Sequence, residues 1–171
     1  MFNIFKSGVI TKTKGLKGEL YCLTDFPIPK TFDLNEHFFI EHEGLIIPFN
    51  IEYYKIAKDY FFIVKLKQIN SINEAKIFIN DPFYLDKEIL NNEKNDNLQL
   101  LKFINYYLKD ISYSFEGTIK NILIFKNNSI AEIITPKNKS VLIPFNKQFI
   151  KKIDKKNKVI YLKLPSNFNE T

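Results

Sequence analysis

Lys12, Lys14 and Lys17 crowd a short stretch, Gly8–Leu20 (GVITKTKGLKGEL), that also holds three of the chain's five glycines. Ammonium groups on a sharply turning backbone, with Gly15 opening the main chain between them, are the chemistry of phosphate contact. The spacing fits neither GxxxxGK[ST] nor GxGxxG, so a nucleotide-cradling loop is not indicated. Two readings of the lysines stand side by side: charges decorating a solvated hairpin, or a surface arranged to meet phosphate. Lys12, Lys14, Gly15 and Lys17 are therefore the candidate RNA-binding residues.

The other reactive side chains point away from catalysis. His37 and His42 are the only histidines; five residues apart around a strand and turn, they do not share a strand face. Cys22 lies between Tyr21 and Leu23, a position that suits a small buried hydrophobe. As the only cysteine it excludes an internal disulfide and fits a reducing compartment. Acidic residues are scattered through turns and form no acid/base pair. No cofactor or metal is expected, and the chain reads as a non-enzyme.

Lysine supplies every basic side chain except the histidines, and the net charge is +6. Such a balance favours anionic partners, nucleic acid first. Without arginine there is no bidentate reading of guanine, so contacts to RNA are expected to follow phosphate and shape. Lys6 and Ser7 interrupt the N-terminal apolar run too early for a secretory leader. No run approaches the ~20 apolar residues of a membrane span. A cytoplasmic protein without membrane attachment is expected.

The elements that must position these residues are mostly strands. Apolar residues make up 45% of the chain and aromatics 15%, enough for packed cores, and abundant Phe, Tyr and Ile favour β-structure. The glycine-rich stretch predicts a hairpin. Strand-like runs follow at Phe38–Glu41, Leu45–Phe49, Ile51–Lys55 and Tyr60–Leu66, with His42-Glu43-Gly44 turning between the first two. The spacing predicts a helix over Ser71–Ile79, capped by Ser71 with Glu74 three residues on, its apolar stripe formed by Ile72, Ala75 and Ile79 with Lys76 between them. Asp81-Pro82 stops that helix, and Phe83–Leu85 reads as a strand.

Asn91–Asn97 (NNEKNDN) holds no apolar residue and reads as a linker. The expected division is a first domain over residues 1–90, a linker over 91–97 and a second domain over 98–171. In the second, short strands are expected at Leu98–Lys109, Gly117–Phe125, Ser129–Ile134, Val141–Phe145 and Val159–Leu164, a pattern of small barrels. Lys151–Lys158 reads as a lysine-rich hairpin turn: a solvated edge of the kind that guards strands against aggregation, or an RNA contact.

Three stretches together resemble the bacterial ribosome maturation factor family RimM. Gly8-Val9-Ile10 through Lys14-Gly15-Leu16-Lys17-Gly18-Glu19-Leu20, followed by Thr24-Asp25, looks like the family's opening motif, with Lys14 where a histidine is usual. Ser71–Phe83 is similar to the short alanine-bearing helix that leads into the last strand of the first barrel. Val141-Leu142-Ile143-Pro144-Phe145, Ile153-Asp154 and Val159–Pro165 resemble the second, PRC-type barrel; Asn167 stands where that family's closing motif has glycine, and asparagine tolerates a left-handed backbone.

The resemblance implies a mainly β protein, an N-terminal RimM-type barrel with one short helix and a C-terminal PRC-type barrel on a polar linker. It implies a monomeric, non-enzymatic assembly factor for the small ribosomal subunit precursor. Its partners would be small-subunit ribosomal protein number nineteen and 16S rRNA, and its task maturation of the subunit's head. The alternative is a general ribosome- or RNA-binding barrel module of the translation-factor kind. The family carries a tyrosine pair opening its second barrel, associated with ribosome binding. Tyr106-Tyr107 looks like that pair, but an ungapped register that sets Gly117-Thr118-Ile119 on the family's G-x-V puts Leu98-Gln99 there and Leu108 at an apolar position. Leu98, Gln99, Tyr106 and Tyr107 are thus the candidate partner-protein contacts.

Overall fold

Along Glu19–Thr24 burial alternates with the two-residue period of a strand: Leu20, Cys22 and Thr24 face inward, and Glu19, Tyr21 and Leu23 are half-buried. The computed structural model describes residues 3–29, 33–34, 36–90, 96–113, 115–125 and 128–165, and divides after Glu93 into two units.

The first unit is a closed six-stranded barrel. It contains β1 (Ile4–Lys14), β2 (Glu19–Thr24), β3 (His37–His42), β4 (Leu45–Lys58), β5 (Phe61–Leu66) and β6 (Pro82–Asp86), in the order β1-β2-β5-β4-β3-β6. β4 runs through both of the stretches expected as separate strands; register shifts at Ile51/Tyr53 and Ile56/Lys58 let it bend around the barrel without breaking. The interior is filled by phenylalanines. Phe38 stacks on Phe83 at 5.1 Å, and Phe62 meets both rings edge-on, the geometry aromatic quadrupoles favour. Cys22 is buried on β2, and burial pushes its thiol pKa up.

The helix is shorter than its sequence pattern. α1 spans Ile72–Lys76 and the chain then turns through Asn80. Ala75 and Phe78 are the residues it buries, whereas Lys76 is exposed; Ile72 and Ile79 are only half-buried. Ser71 caps it, its hydroxyl accepting from the Glu74 amide at 3.2 Å. The Glu74 carboxylate reaches back to the amide of Asn70 at 2.7 Å. That hydrogen bond, then the Ser71 side chain, holds the Glu74 pKa below its ordinary 4.5. A depressed carboxylate stabilises the fold above its unfolded pKa, and the contribution is lost as pH falls through the folded value. Protection of the Asn70 and Ala75 amides, taken relative to their intrinsic exchange rates, is therefore expected to fall as the pH drops below about 4.5 in the native chain and to show no such step in Glu74→Gln.

The second unit opens with helix, not strand: α2 (Asp96–Gln99) runs into a 3₁₀ turn, Leu100–Phe103, and only then comes β7 (Tyr107–Asp110). The apolar residues of Leu98–Lys109 fit either structure by count, and burying Leu98, Leu100, Leu101 and Ile104 together selects the helical winding. β8 (Glu116–Ile124), β9 (Ser129–Ile134), β10 (Ser140–Pro144), β11 (Ile150–Asp154) and β12 (Val159–Leu162) complete a sheet in the order β10-β9-β8-β7-β12-β11. β7 and β12 pair in parallel; the other ladders are antiparallel. Lys151–Asp154, expected as part of a turn, is an edge strand, and the turn is confined to 155–158.

Asp110 ties this sheet together. Its buried carboxylate accepts from the amides of Ser112 and Tyr113, at 2.8 and 2.7 Å, and from the amide of Leu164 at 2.8 Å. Residues 91–95 of the expected linker, Lys126-Asn127 and Ser166–Phe168 lie outside the described residues.

Candidate functional site

The lysine-bearing stretch is the β1–β2 hairpin, turning through residues 15–18. Gly15 and Gly18 take φ of +67° and +77°, values that cost other residues about 1–2 kcal/mol. A Cβ on Gly18 would sit 2.6 Å from the Ser71 carbonyl oxygen and 2.9 Å from Ile69. The turn therefore lies directly on the entry to α1. That entry is fixed by Lys65, whose buried ammonium donates to the carbonyls of Leu66 and Ile69, at 2.8 and 2.6 Å, and faces Glu52 at 3.3 Å. The only sequence signal for this role is a lone lysine inside the apolar run Tyr60–Leu66, and it does not reveal the carbonyls that the ammonium meets.

Lys12, Lys14 and Lys17 are all exposed. Lys12 and Lys14, two apart on β1, share a face, and the Lys12 ammonium lies 4.8 Å from the Tyr21 ring centre. Leu16 stands out from the turn, 82% exposed. Glu19 closes the hairpin opposite Lys14 and accepts from the Tyr53 hydroxyl at 2.8 Å. That hydrogen bond, then burial and the Glu19 and Glu52 charges, raises the Tyr53 pKa. The hairpin thus presents three exposed ammoniums and an apolar tip.

In the sequence Asp81 reads only as a helix stop. In the fold it meets His42, Nδ1 to Oδ2 at 2.6 Å, while the imidazole packs edge-on against Phe78 at 5.2 Å. His37, exposed, lies at the other end of β3. Among the described residues no three His, Cys, Asp or Glu side chains gather where they could hold a metal ion. Likewise no helix among them is long and apolar enough to cross a membrane.

In the second unit the four candidate contacts separate. Leu98 is fully buried, a correction to its assignment as a contact: its apolar side chain belongs to the core. Gln99 is half-buried. Tyr106, also half-buried, precedes β7 and packs edge-on against Phe103 at 5.4 Å, which in turn meets buried Phe145. Tyr107 is the first residue of β7 and, with Lys109, lies on the outer face, opposite buried Leu108 and Asp110. A groove of about 380 Å³ runs beside β10, lined by Ile130, Ile143, Pro144 and Phe149, with exposed Leu142 at its mouth. Ser129, which also lines it, buries a hydroxyl with no hydrogen-bond partner among the described residues.

Residues 5–90 match the family model of the RimM N-terminal domain, and residues 102–168 that of the RimM PRC barrel domain. The chain belongs to the RimM family. A protein named ribosome maturation factor RimM from Azobacteroides pseudotrichonymphae is 31% identical over 95% of this chain and 94% of its own length. Another with that name, from Thermosipho melanesiensis, is 30% identical over 92% and 89%. The crystal structure of a RimM protein of Pseudomonas aeruginosa, described as a 16S ribosomal RNA processing protein, aligns with 96% of the chain and 99% of its own at 16% identity and a TM-score of 0.45. The fold expected from the resemblance, mainly β with one short helix in the first barrel, is the fold observed. A RimM-type first barrel and a PRC-type second domain are what the two matches describe.

Proposed function

We propose that the chain is a non-enzymatic assembly factor of the small ribosomal subunit, acting on its precursor during maturation of the head and of 16S rRNA. The observation that carries this reading is the match to both RimM domains, in order, along one chain. Relatives named ribosome maturation factor match over nearly their whole length. The working arrangement is a monomer in the cytoplasm, with the RimM-type barrel over residues 1–90 and a second domain that opens with α2 at Asp96.

Its mechanism is selective binding. A factor that fits one geometry of rRNA and ribosomal protein better than others shifts the precursor toward that geometry by the difference in affinity, and leaves when the mature surface no longer favours it. In this reading Lys12, Lys14 and Lys17, with the open backbone at Gly15, meet rRNA phosphates. Gln99 and Tyr106 face small-subunit ribosomal protein number nineteen.

Co-sedimentation tests the whole: the chain is expected to prefer precursor over finished small subunits, and equal affinity for the two would sink the reading in favour of a general ribosome-binding module. Replacing Lys12, Lys14 and Lys17 by alanine is expected to flatten the slope of log affinity against log salt by up to ~0.9 for each duplex phosphate left without its lysine. An unchanged slope would make them solvated hairpin charges.

A further inference from the structure

The net charge of +6 is unevenly held. The first unit has 11 lysines against 13 acidic residues, a balance of −2; the second has 14 against 6, a balance of +8. The whole excess of positive charge thus lies in the unit that the family resemblance turns toward a protein partner.

Within that unit the charge is concentrated on the β11–β12 hairpin. Lys151, Lys152, Lys155, Lys156 and Lys158 fall within eight residues, are all exposed, and none pairs with a carboxylate among the described residues. The one acid between them, Asp154, is turned onto the backbone and side chain of its neighbour Asn157, at 3.0 and 2.8 Å. A register shift between Ile150 and Lys152 leaves the two adjacent lysines 151 and 152 both in solvent. Elsewhere in the unit Lys102 feels one of these charges together with that of Lys147: burial first, then the charges of Lys155 and Lys147, lowers its pKa.

The sheet next to this hairpin carries aromatic rings in register with the lysines. Partner by partner across the outer face, one row reads Lys152, Tyr161, Lys109, Glu116, and the next places Tyr107 beside Val159. The Lys152 ammonium lies 5.8 Å from the Tyr161 ring centre, and that of Lys109 lies 5.9 Å from Tyr107 while also facing Glu116 at 3.7 Å.

We infer that this outer face, Tyr161 and Tyr107 with Lys152 and the hairpin lysines, binds single-stranded RNA. Flat rings interleaved with point charges suit unpaired bases stacked over tyrosine with phosphates running along the ammoniums. An acidic protein surface needs the lysines but has no use for the rings, and a duplex hides the base faces the rings would meet. With no arginine on the surface, the interaction tolerates many sequences. This inference rests on the proposed role in rRNA maturation only for the choice of RNA over DNA.

The test is fluorescence anisotropy of a labelled mixed-sequence RNA of about twelve nucleotides against the full chain, alongside a hairpin duplex of the same length. Tyr161→Ala is expected to weaken single-strand binding about tenfold, the worth of one stacked base, and Tyr161→Phe to retain it. Changing Lys151, Lys152, Lys155, Lys156 and Lys158 to glutamine is expected to lower the salt slope by about 0.7 for each single-strand phosphate left without its lysine. Unchanged thermal melting of these variants separates a binding defect from a folding defect. Preference for the duplex, indifference to Tyr161→Ala, or a salt slope carried wholly by Lys12, Lys14 and Lys17 would each overturn the inference. If the hairpin variants leave oligonucleotide binding intact while the chain still prefers precursor subunits, the assembly role stands and this surface falls. If the oligonucleotide results hold but precursor and finished subunits bind alike, the surface stands and the assembly role falls.

Discussion

Gly8→Ala is expected to open the first barrel. Gly8 stands where β1 is pressed between Thr24 of β2 and Phe83 of β6, at φ +156°. A methyl group there would lie 1.9 Å from the Leu23 carbonyl oxygen and 2.8 Å from the Phe83 ring. The obstacle is main chain, so no side-chain rotation relieves it, and β1 must leave β2 to make room. Phe5 and Ile10, both buried, are displaced along with it. Overpacking against soft side chains already costs about 1–3 kcal/mol; against a backbone carbonyl the expected cost is at least about 3 kcal/mol. Hydrogen exchange reads it locally. The Ile10 amide, bonded to the Asp81 carbonyl, and the Thr24 amide, bonded to that of Tyr60, should exchange on the order of a hundredfold faster. The Ile119 amide, bonded to the Tyr106 carbonyl in the other unit, serves as the control. Protection at Ile10 equal to the parent chain would show that the barrel accommodates the methyl group.

The second large effect is expected at Asp110→Ala. Three amides, of Ser112, Tyr113 and Leu164, point at this one carboxylate, and alanine leaves them facing an apolar hole. Stranding a buried donor costs roughly 1–3 kcal/mol, so a destabilisation of about 3 kcal/mol or more is expected with all three amides stranded. Where water reaches the two turn amides and only that of Leu164 is left, roughly 1–3 kcal/mol is expected. Asp110→Asn retains an acceptor oxygen but brings an amino group against donors, and should fall between the two. Protection of the Tyr107 and Ile111 amides, bonded to the carbonyls of Lys158 and Leu162, is the measure. Equal protection in the alanine variant would mean that the turn and Leu164 hold without the carboxylate.

These two sites differ in how far the sequence discloses them. Gly8 announces itself, because glycines are rare in this chain and three of them fall in one hairpin; the strands on either side follow from local alternation. Asp110 reads as an ordinary turn residue, since one of its three donors is 54 residues away and no local pattern reflects that. The same limit explains Leu98–Lys109: its apolar residues satisfy strand and helix equally until packing around Leu98, Leu100 and Leu101 decides. β11 is hidden for a different reason. Its lysines look like turn chemistry, and only pairing with Ile160 and Tyr161 makes that stretch a strand. The exposure of Lys12 and Lys14 is legible from the alternation of β1, and that of Lys17 from its place in the glycine-flanked turn. The row of lysine and tyrosine on the second sheet is not, because it is assembled from registers between separate strands. The burial of Lys65 and the meeting of His42 with Asp81 are hidden likewise, each being a product of closure.

The parallel ladder between β7 and β12 joins residues 52 positions apart, Tyr107 and Val159. Four strands, β10-β9-β8-β7, can form from a shorter stretch of nascent polypeptide, but the last two must dock as a hairpin once both have been synthesised. Closing so long a loop before any pairing rewards it makes this the slow event of the second unit. Until it occurs, Tyr107 has no neighbouring Tyr161 and the lysine-rich hairpin has no sheet to stand on. Avidity for nucleic acid through that face would thus arise only once the β11–β12 hairpin has docked on β7.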